Sequence, residues 1–431
     1  MTDRSRPGTE SDPAARSTHG RAAPPTVGAV VGTTPGPIGA EDDVGSDAVL
    51  VERLRAEIER SGPLTFARYM EVALYDPERG YYATSSARPT RDGDFLTAPE
   101  LHPAFGRCLG RQVAECWERL GRPDGFTIRE YGAGSGTLAA TIVAGLRADG
   151  SGLAARLRYQ PAEVNVRRRG ELEARLSAEG LAERLAAPEG PIVGVVLANE
   201  FLDALPVHRV EGAADGLREL YVGWDGTGFV DVVGPPSTGE LAARLEAEGV
   251  RLEPGQRGEI CLGVEPWLGE VARDLERGYA IVIDYGHPAS SLYERSRRTG
   301  TLLGYLGHRV VADPYAHVGH QDLTAHVDLT ALERGAIAVG LTVEGTTTQA
   351  ELLAGLGLGD LLADASGGTT DSILEYIMLR GATVRLLDPR HLGGFAVAIL
   401  GRDVPAGPPL RGLSVRVSPR WAPPGPATPT G

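Results

Sequence analysis

The stretch Glu130–Ile142, "EYGAGSGTLAATI", sets Gly132, Gly134 and Gly136 at alternate positions between an acid and a run of helical character. Such a turn brings backbone N–H groups close to a ligand, and nucleoside triphosphates, dinucleotides and S-adenosylmethionine are all held this way. A triphosphate loop needs a lysine after its last glycine. Thr137 stands there, and all 43 basic residues of the chain are arginines. A dinucleotide fingerprint needs G-x-G-x-x-G, and Thr137 occupies the place of its third glycine.

The S-adenosylmethionine reading fits best. The layout is similar to that of class I methyltransferases, whose first strand ends in an acid two residues before a G-x-G-x-G turn. On this reading Gly132, Ala133, Gly134, Ser135 and Gly136 admit the methionine part of the cofactor, and Glu130 acts through the turn on its ammonium end. A second acid should close the next strand and accept hydrogen bonds from ribose hydroxyls, as in dinucleotide sites. Glu163, at the end of "LRYQPAE", holds that position; the alternative is an ordinary surface acid. After the fourth strand of the scheme, "ANEFLDALP" supplies Asn199, Glu200 and Asp203 on the side that faces the transferred methyl. Acids there suit a cationic acceptor, and a guanidinium pairs with carboxylate through two parallel hydrogen bonds. The competing expectation is that Glu200 and Asp203 cap a following helix.

These residues need a scaffold, and the pattern around them alternates. "FTIREYG", "LRYQPAEV", "PIVGVVLANE" and "YAIVIDYG" read as strands, with helices "TLAATIVAGLRA", "VRRRGELEARLSAEG" and "VEPWLGEVARDLERG" between them. Such alternation predicts an α/β fold with a doubly wound, Rossmann-like sheet that binds ligands at the strands' carboxyl ends. "LTVEGTT" and "GFAVAILGR" could complete the sheet, the last antiparallel. The expected organisation is a disordered tail over residues 1–45 and an N-terminal helical and loop element over 46–125 packed on the catalytic domain. A SAM-binding domain follows over 126–402, with hairpins inserted at about 206–263, and a Pro-rich disordered tail over 403–431.

With 431 residues the chain can bury a sizeable core. A formal charge of −14 argues against a general nucleic-acid binder. No apolar run approaches membrane-spanning length. Cys108, Cys116 and Cys261 are too few for a disulfide framework, and the first two read as small hydrophobes of one helix. With no secretory signal in the first residues, the expectation is a cytoplasmic protein. "HVGHQDLTAHVD" gathers His317, His320, Asp322, His326 and Asp328, yet the spacing matches no recognised metal pattern. "DLTAHVD" reads instead as a capped helix start, and no metal is expected.

Taken together, "GPLTFARYMEVALYDPERGYY" (62–82), "GDFLTAPE" (93–100), "FGRCLGRQ" (105–112), the glycine turn, "ANEFLDALPV" (198–207), "IDYG" (283–286) and "GHQDLTAHVDLTAL" (319–332) resemble the MidA-like SAM-dependent methyltransferases. The resemblance covers nearly all of the chain from about residue 60 to about 400. It implies a class I methyltransferase fold with added helical and hairpin elements, S-adenosyl-L-methionine as cofactor and a protein arginine as acceptor. The mitochondrial members, which assist assembly of respiratory complex I, suggest a respiratory subunit as partner. Carried over by position, Thr97, Pro99 and Glu100 would close over the cofactor, and Asn199 and Glu200 would line the methyl-transfer side. Two departures stand out. Gly132-Ala133-Gly134 replaces a common Gly-Pro-Gly, and Leu101, His102 and Pro103 follow "APE" where small polar residues are usual. Acceptors of another class, a small-molecule N- or O-nucleophile, and a non-catalytic assembly chaperone are the alternatives.

Overall fold

Strong β-formers in "IVGVVLAN" and "YAIVID" build the centre of a six-stranded sheet, where both faces are buried and alternation gives way to continuous apolar runs. In chain order its strands are β1 (Thr127–Tyr131), β2 (Arg158–Ala162), β3 (Ile192–Asn199), β4 (Leu275–Asp284), β5 (Thr342–Thr348) and β6 (Ala396–Arg402). The spatial order is β5-β6-β4-β3-β1-β2. The four strands β4, β3, β1 and β2 run parallel, and β6 is antiparallel to both β4 and β5. The coordinates are a computed structural model, which describes residues 45–84, 97–187, 189–307, 309–366 and 370–416. The expected tail over 1–45 lies outside these except for Gly45, as do Phe95 and Leu96 of the "FLTAPE" loop and residues 417–431.

Helices cover both faces of the sheet. Ile128, Val195, Leu197, Ile281 and Ile283 face one layer, built with helices Pro103–Arg119, Thr137–Ala148 and Val166–Ala178. Val196, Ala198, Ala280 and Val282 face the other, with helices Val264–Asp274 and Leu329–Ala338. The two-residue period of the strands sends alternate side chains to opposite layers. Cys108 and Cys116 are fully buried in the first layer.

Residues 208–260 contribute four strands to a second, antiparallel sheet, and Leu64–Thr65 adds a fifth by pairing with Tyr221 and Val222. The N-terminal stretch therefore divides. Helices Ala48–Ser61 and Phe66–Tyr75 share a core with the inserted sheet, through Leu50, Phe66, Tyr69 and Val222. Helix Pro103–Arg119 belongs to the main sheet's layer.

One expectation is corrected here and another is located more closely. Residues 403–416 are not a loose tail: Leu410 and Leu413 are buried, and the short helical turn Arg411–Leu413 sits against helix Pro103–Arg119. Arg119 donates to the carbonyls of Pro408 and Pro409, Glu115 accepts the Arg411 N–H and Gln112 accepts the Gly412 N–H. Two leucines in a Pro- and Gly-rich setting give no periodic signal, so composition alone misleads. The capped helix start read in "DLTAHVD" falls at its last residue, because Asp322–Thr324 is a strand paired with Leu303–Tyr305. Only Asp328 caps helix Leu329–Ala338, accepting from Thr330 and Ala331 N–H groups.

If the C-terminal turn is part of the folded core, Leu413→Ala should cost about 2–4 kcal/mol. Urea midpoints of the two proteins measure this; an unchanged midpoint would contradict the packing described.

Candidate functional site

The carboxyl ends of the four parallel strands lie side by side, with β1 paired to both β2 and β3, and β3 to β4. The chain leaves β2 at Glu163, β1 at Gly132, β3 at Glu200 and β4 at Tyr285. These four exits bring sequence-distant chemistry into one row.

At β1 the three turn glycines all have positive φ, +65° at Gly132, +55° at Gly134 and +78° at Gly136, which L side chains rarely adopt. Sterics act at two of them. A Cβ on Gly136 would stand 2.9 Å from Leu172 Cγ, and one on Gly132 would stand 3.1 Å from the Phe201 ring. At Gly134 the nearest atom is 3.9 Å away, so the backbone conformation alone demands glycine there and the surface above it is open to a ligand. Gly136 opens helix Thr137–Ala148 without a side-chain cap. The helix's free N–H groups and positive dipole end are thereby left facing the turn. Ala133 is buried beneath the turn, and the Ser135 hydroxyl lies 3.1 Å from that of Thr137.

Two acids support the turn. Glu163 follows β2, and one carboxylate oxygen accepts the Gly134 N–H at 2.8 Å while the other accepts the Asn165 N–H at 2.8 Å. Each oxygen keeps a second lone pair for a ribose hydroxyl. Glu130 is buried, and Tyr159 donates its hydroxyl to it. Burial pushes the Glu130 carboxyl up to about 8, the Tyr159 hydrogen bond opposing this and the Glu163 charge adding to it.

At β3 the backbone turns sharply. Glu200 has φ +50°, unusual for a residue other than glycine. Its carboxyl accepts from the Ala98 N–H at 3.3 Å and the Asn199 amide at 3.2 Å. Burial, and then the Asp203 charge, push it up to about 8. Ala98 and Pro99 are buried, while Thr97 and Glu100 are partly exposed. The Ala98 bond therefore ties the "TAPE" segment directly to the end of β3. Burial raises the Glu100 carboxyl as well, against the nearby Arg168 and Arg175. Asp203 is buried, receives the Tyr285 hydroxyl at 2.6 Å on one oxygen and has no partner on the other. Its carboxyl is pushed up to about 6 by burial. The Asn199 side-chain oxygen is also buried without a partner.

No helix follows Glu200 and Asp203; the chain turns into the strand His208–Ala213. Neither acid is a helix cap, which removes the competing expectation for them. What holds this turn is Asp284, at the end of β4. One of its oxygens accepts the N–H groups of Phe201, Leu202 and Asp203 at 3.1, 2.8 and 3.3 Å, and the other accepts Tyr285 N–H at 2.9 Å. Burial and the nearby Asp203 and Glu200 raise its carboxyl, against those backbone donors. Phe201 completes the link by packing on Tyr131 and Trp267 at 5.5 and 5.9 Å and standing over Gly132.

Asp284, Tyr285, Asn165, Tyr75 and Tyr82 were not assigned from sequence. Asn165 caps helix Val166–Ala178 and reaches the Tyr82 carbonyl. Tyr82 stacks on Tyr75 at 5.3 Å and donates to Asp322. The signal for Asp284 was present: β1 ends "EYG" and β4 ends "DYG", the same acid–Tyr–Gly exit twice. In the histidine-rich segment His326 packs against Tyr285 at 5.2 Å, and burial lowers it to about 3. His320 N–H bonds to the His317 carbonyl. Among the described residues no group of three or more His, Cys, Asp or Glu is placed to hold a metal ion.

The open face above Gly134 and the buried acids Glu130 and Glu163 around it fit a ligand with both amino-acid and ribose donors. S-adenosylmethionine carries both. Comparison with known proteins agrees. Residues 108–347 match a family model described as "Putative S-adenosyl-L-methionine-dependent methyltransferase". The chain is 30% identical over 386 residues to the mitochondrial protein arginine methyltransferase NDUFAF7 of Rattus norvegicus, covering 80% of this chain and 82% of that one. Against the Homo sapiens protein of the same name it is 26% identical over 379 residues, covering 80% and 81%. A crystal structure from Burkholderia thailandensis with S-adenosyl-homocysteine bound is 34% identical, with a TM-score of 0.76 over 89% of this chain and 97% of that one.

Two outcomes are expected. Glu130, with its folded-state carboxyl raised, contributes stability that is full below the ordinary glutamate range and is lost as pH rises through about 8. Glu130→Gln should therefore show a shallower fall in urea midpoint between pH 5 and 8.5 than the parent; parallel curves would contradict the assignment. Gly134→Ala should weaken calorimetric binding of S-adenosyl-homocysteine by about tenfold or more, while the φ strain costs only about 1 kcal/mol of stability. Unchanged affinity would place the cofactor elsewhere.

Proposed function

Because the chain belongs to the S-adenosyl-L-methionine-dependent methyltransferase family whose model it matches, we propose that its acceptor is the guanidinium of a protein arginine. The observation that carries this reading is the pair of acids at the end of β3. Glu200 and Asp203 are set beside the cofactor turn, and unpartnered acceptor oxygens remain on Asp203 and Asn199. The names of the relatives as protein arginine methyltransferases support it independently.

The cofactor, when bound, would supply an electrophilic methyl group, whose bond to the sulfonium sulfur breaks as the new bond forms and leaves its electron pair on sulfur. The residues of the chain supply the rest. The glycine turn and Glu163 bind and orient it, and Phe201 fixes the distance between that turn and the end of β3. A guanidinium presents five N–H donors and a positive charge, which matches acids whose charged forms burial penalises. As the cation enters, the Glu200 and Asp203 carboxyls are drawn back toward ionisation. A carboxylate oxygen then orients one guanidinium nitrogen and accepts the proton that this nitrogen loses when it forms its bond to the methyl carbon. Asp284 and Tyr285 do not touch the acceptor in this scheme; they position the two acids. A respiratory-complex subunit, the partner suggested by the family resemblance, falls within this proposal.

Extract proteins incubated with methyl-tritiated S-adenosylmethionine and this enzyme should carry label that acid hydrolysis recovers as methylarginine. Glu200→Gln should reduce that labelling by about a hundredfold while leaving S-adenosyl-homocysteine affinity within a few fold. Label confined to small metabolites, or full activity in Glu200→Gln and Asp203→Asn, would overturn the reading.

A further inference from the structure

Tyrosines from four separate elements converge on two acids beside the end of β3. Tyr285 leaves β4 and donates its hydroxyl to Asp203 at 2.6 Å. Tyr75, the last residue of helix Phe66–Tyr75, donates to the carbonyl of Ala204 at 2.9 Å. Tyr82, in helix Tyr81–Thr84, stacks on Tyr75 at 5.3 Å and donates to Asp322 at 3.0 Å. Tyr305 and Asp322 stand directly opposite each other where strand Leu303–Leu306 pairs with Asp322–Thr324. Side chains paired in this way share one face of the sheet. The Ala325 N–H donates to the Asp203 carbonyl at 3.0 Å, which draws this strand alongside the β3 exit.

The two acids act on one set of rings. Burial leads in raising the hydroxyls of Tyr75, Tyr82 and Tyr305, and the charges of Asp203 and Asp322 add to it at all three. The Glu163 charge reaches Tyr75 as well, so the cluster extends from the acid that supports the glycine turn to the acids at the β3 exit. Tyrosines that serve packing in this protein, such as Tyr69 and Tyr279, are fully buried. Tyr75, Tyr82, Tyr285 and Tyr305 are each partly exposed, whereas Asp203 beneath them is buried and keeps one oxygen without a partner.

This combination suits a flat organic cation. Two carboxylates call for positive charge, and among the described residues no group of three or more His, Cys, Asp or Glu is placed to hold a metal ion. Tyrosine faces attract cations, and guanidinium more often than ammonium. A guanidinium carries donors on more than one edge, so it can pair with one acid and reach a second while lying against a ring. An ammonium has no flat face to stack. The chain makes the ring contact with a side chain of its own: the Arg168 guanidinium lies 5.6–6 Å, at 5.9 Å, from the centre of the Tyr82 ring.

We propose that Asp322 and Tyr305 bind the acceptor, forming with Asp203 and Tyr82 a tyrosine-walled pocket that takes the arginine guanidinium and disfavours a lysine ammonium. This rests on the reading that the acceptor is an arginine. It deepens that reading, because it assigns selection of the cation to two residues outside the β3 exit.

Calorimetric titration of N-acetyl-arginine amide into the complex of the full chain with S-adenosyl-homocysteine tests it. Asp322→Asn, which keeps an acceptor for the Tyr82 hydroxyl, should weaken binding about tenfold. Tyr305→Ala should weaken it severalfold, and Tyr305→Phe, which keeps the ring, should stay within about twofold of the parent. Thermal melting and S-adenosyl-homocysteine affinity should be unchanged in every variant. N-acetyl-lysine amide should bind the parent about tenfold more weakly than the arginine compound. Parent affinity in both Asp322→Asn and Tyr305→Ala would overturn this proposal alone, as would equal binding of the two amides. A loss confined to S-adenosylmethionine affinity would assign the acids to the sulfonium and overturn it as well. No binding of N-acetyl-arginine amide to the parent would remove the arginine reading and this proposal with it.

Discussion

One carboxylate organises the site. Asp284, at the end of β4, gathers three consecutive backbone N–H groups from the exit of β3 onto a single oxygen. A turn of successive N–H groups around an anion is a strong local arrangement, since each donor would otherwise be buried without a partner. It fixes the direction in which Glu200 and Asp203 leave the sheet, and it places Phe201 where it meets Gly132 and Tyr131. The glycine turn and the acids proposed to hold the acceptor lie on different strands. Asp284 and Phe201 give them a fixed separation, which methyl transfer requires because nucleophile, methyl and sulfur must align.

The arrangement carries an electrostatic cost of the kind found at functional sites. Glu130, Glu200, Asp203 and Asp284 are all held above the ordinary carboxylate range, with burial the leading cause in each. Glu200 adds a left-handed backbone conformation. A scaffold selected for stability alone would hold apolar residues here. Unsatisfied acids near a ligand turn are instead a preformed demand for donors and positive charge.

Much of this was legible in the sequence because it is local. The positive-φ glycines, the acid two residues before them, and the apolar runs of β3 and β4 are short-range signals, and the strand–helix alternation that orders them is periodic. The antiparallel placement of β6 also followed from the pattern. What escaped depends on contacts between distant segments. Asp284 is an acid at a strand end until the β3 exit is known to fold over it. Leu410 and Leu413 sit in a Pro- and Gly-rich stretch whose composition hides their burial. The competing reading of Asp203 as a helix cap could not be dismissed from sequence, because only the structure shows that a strand, not a helix, follows it. Strand Asp322–Thr324 is three residues long, too short for periodicity to distinguish it from a helix start.

The central claim is that the acids at the β3 exit form a preformed site for a cation beside the cofactor turn. Proton linkage measures this directly. Calorimetric titration of N-acetyl-arginine amide into the complex with S-adenosyl-homocysteine, repeated near pH 7 in buffers of different ionisation enthalpy, reports protons exchanged on binding. Because Glu200 is raised to about 8 and a bound guanidinium lowers it, the account predicts release of about one proton per ligand, abolished in Glu200→Gln. Binding without proton release, or release that persists in Glu200→Gln, would contradict it.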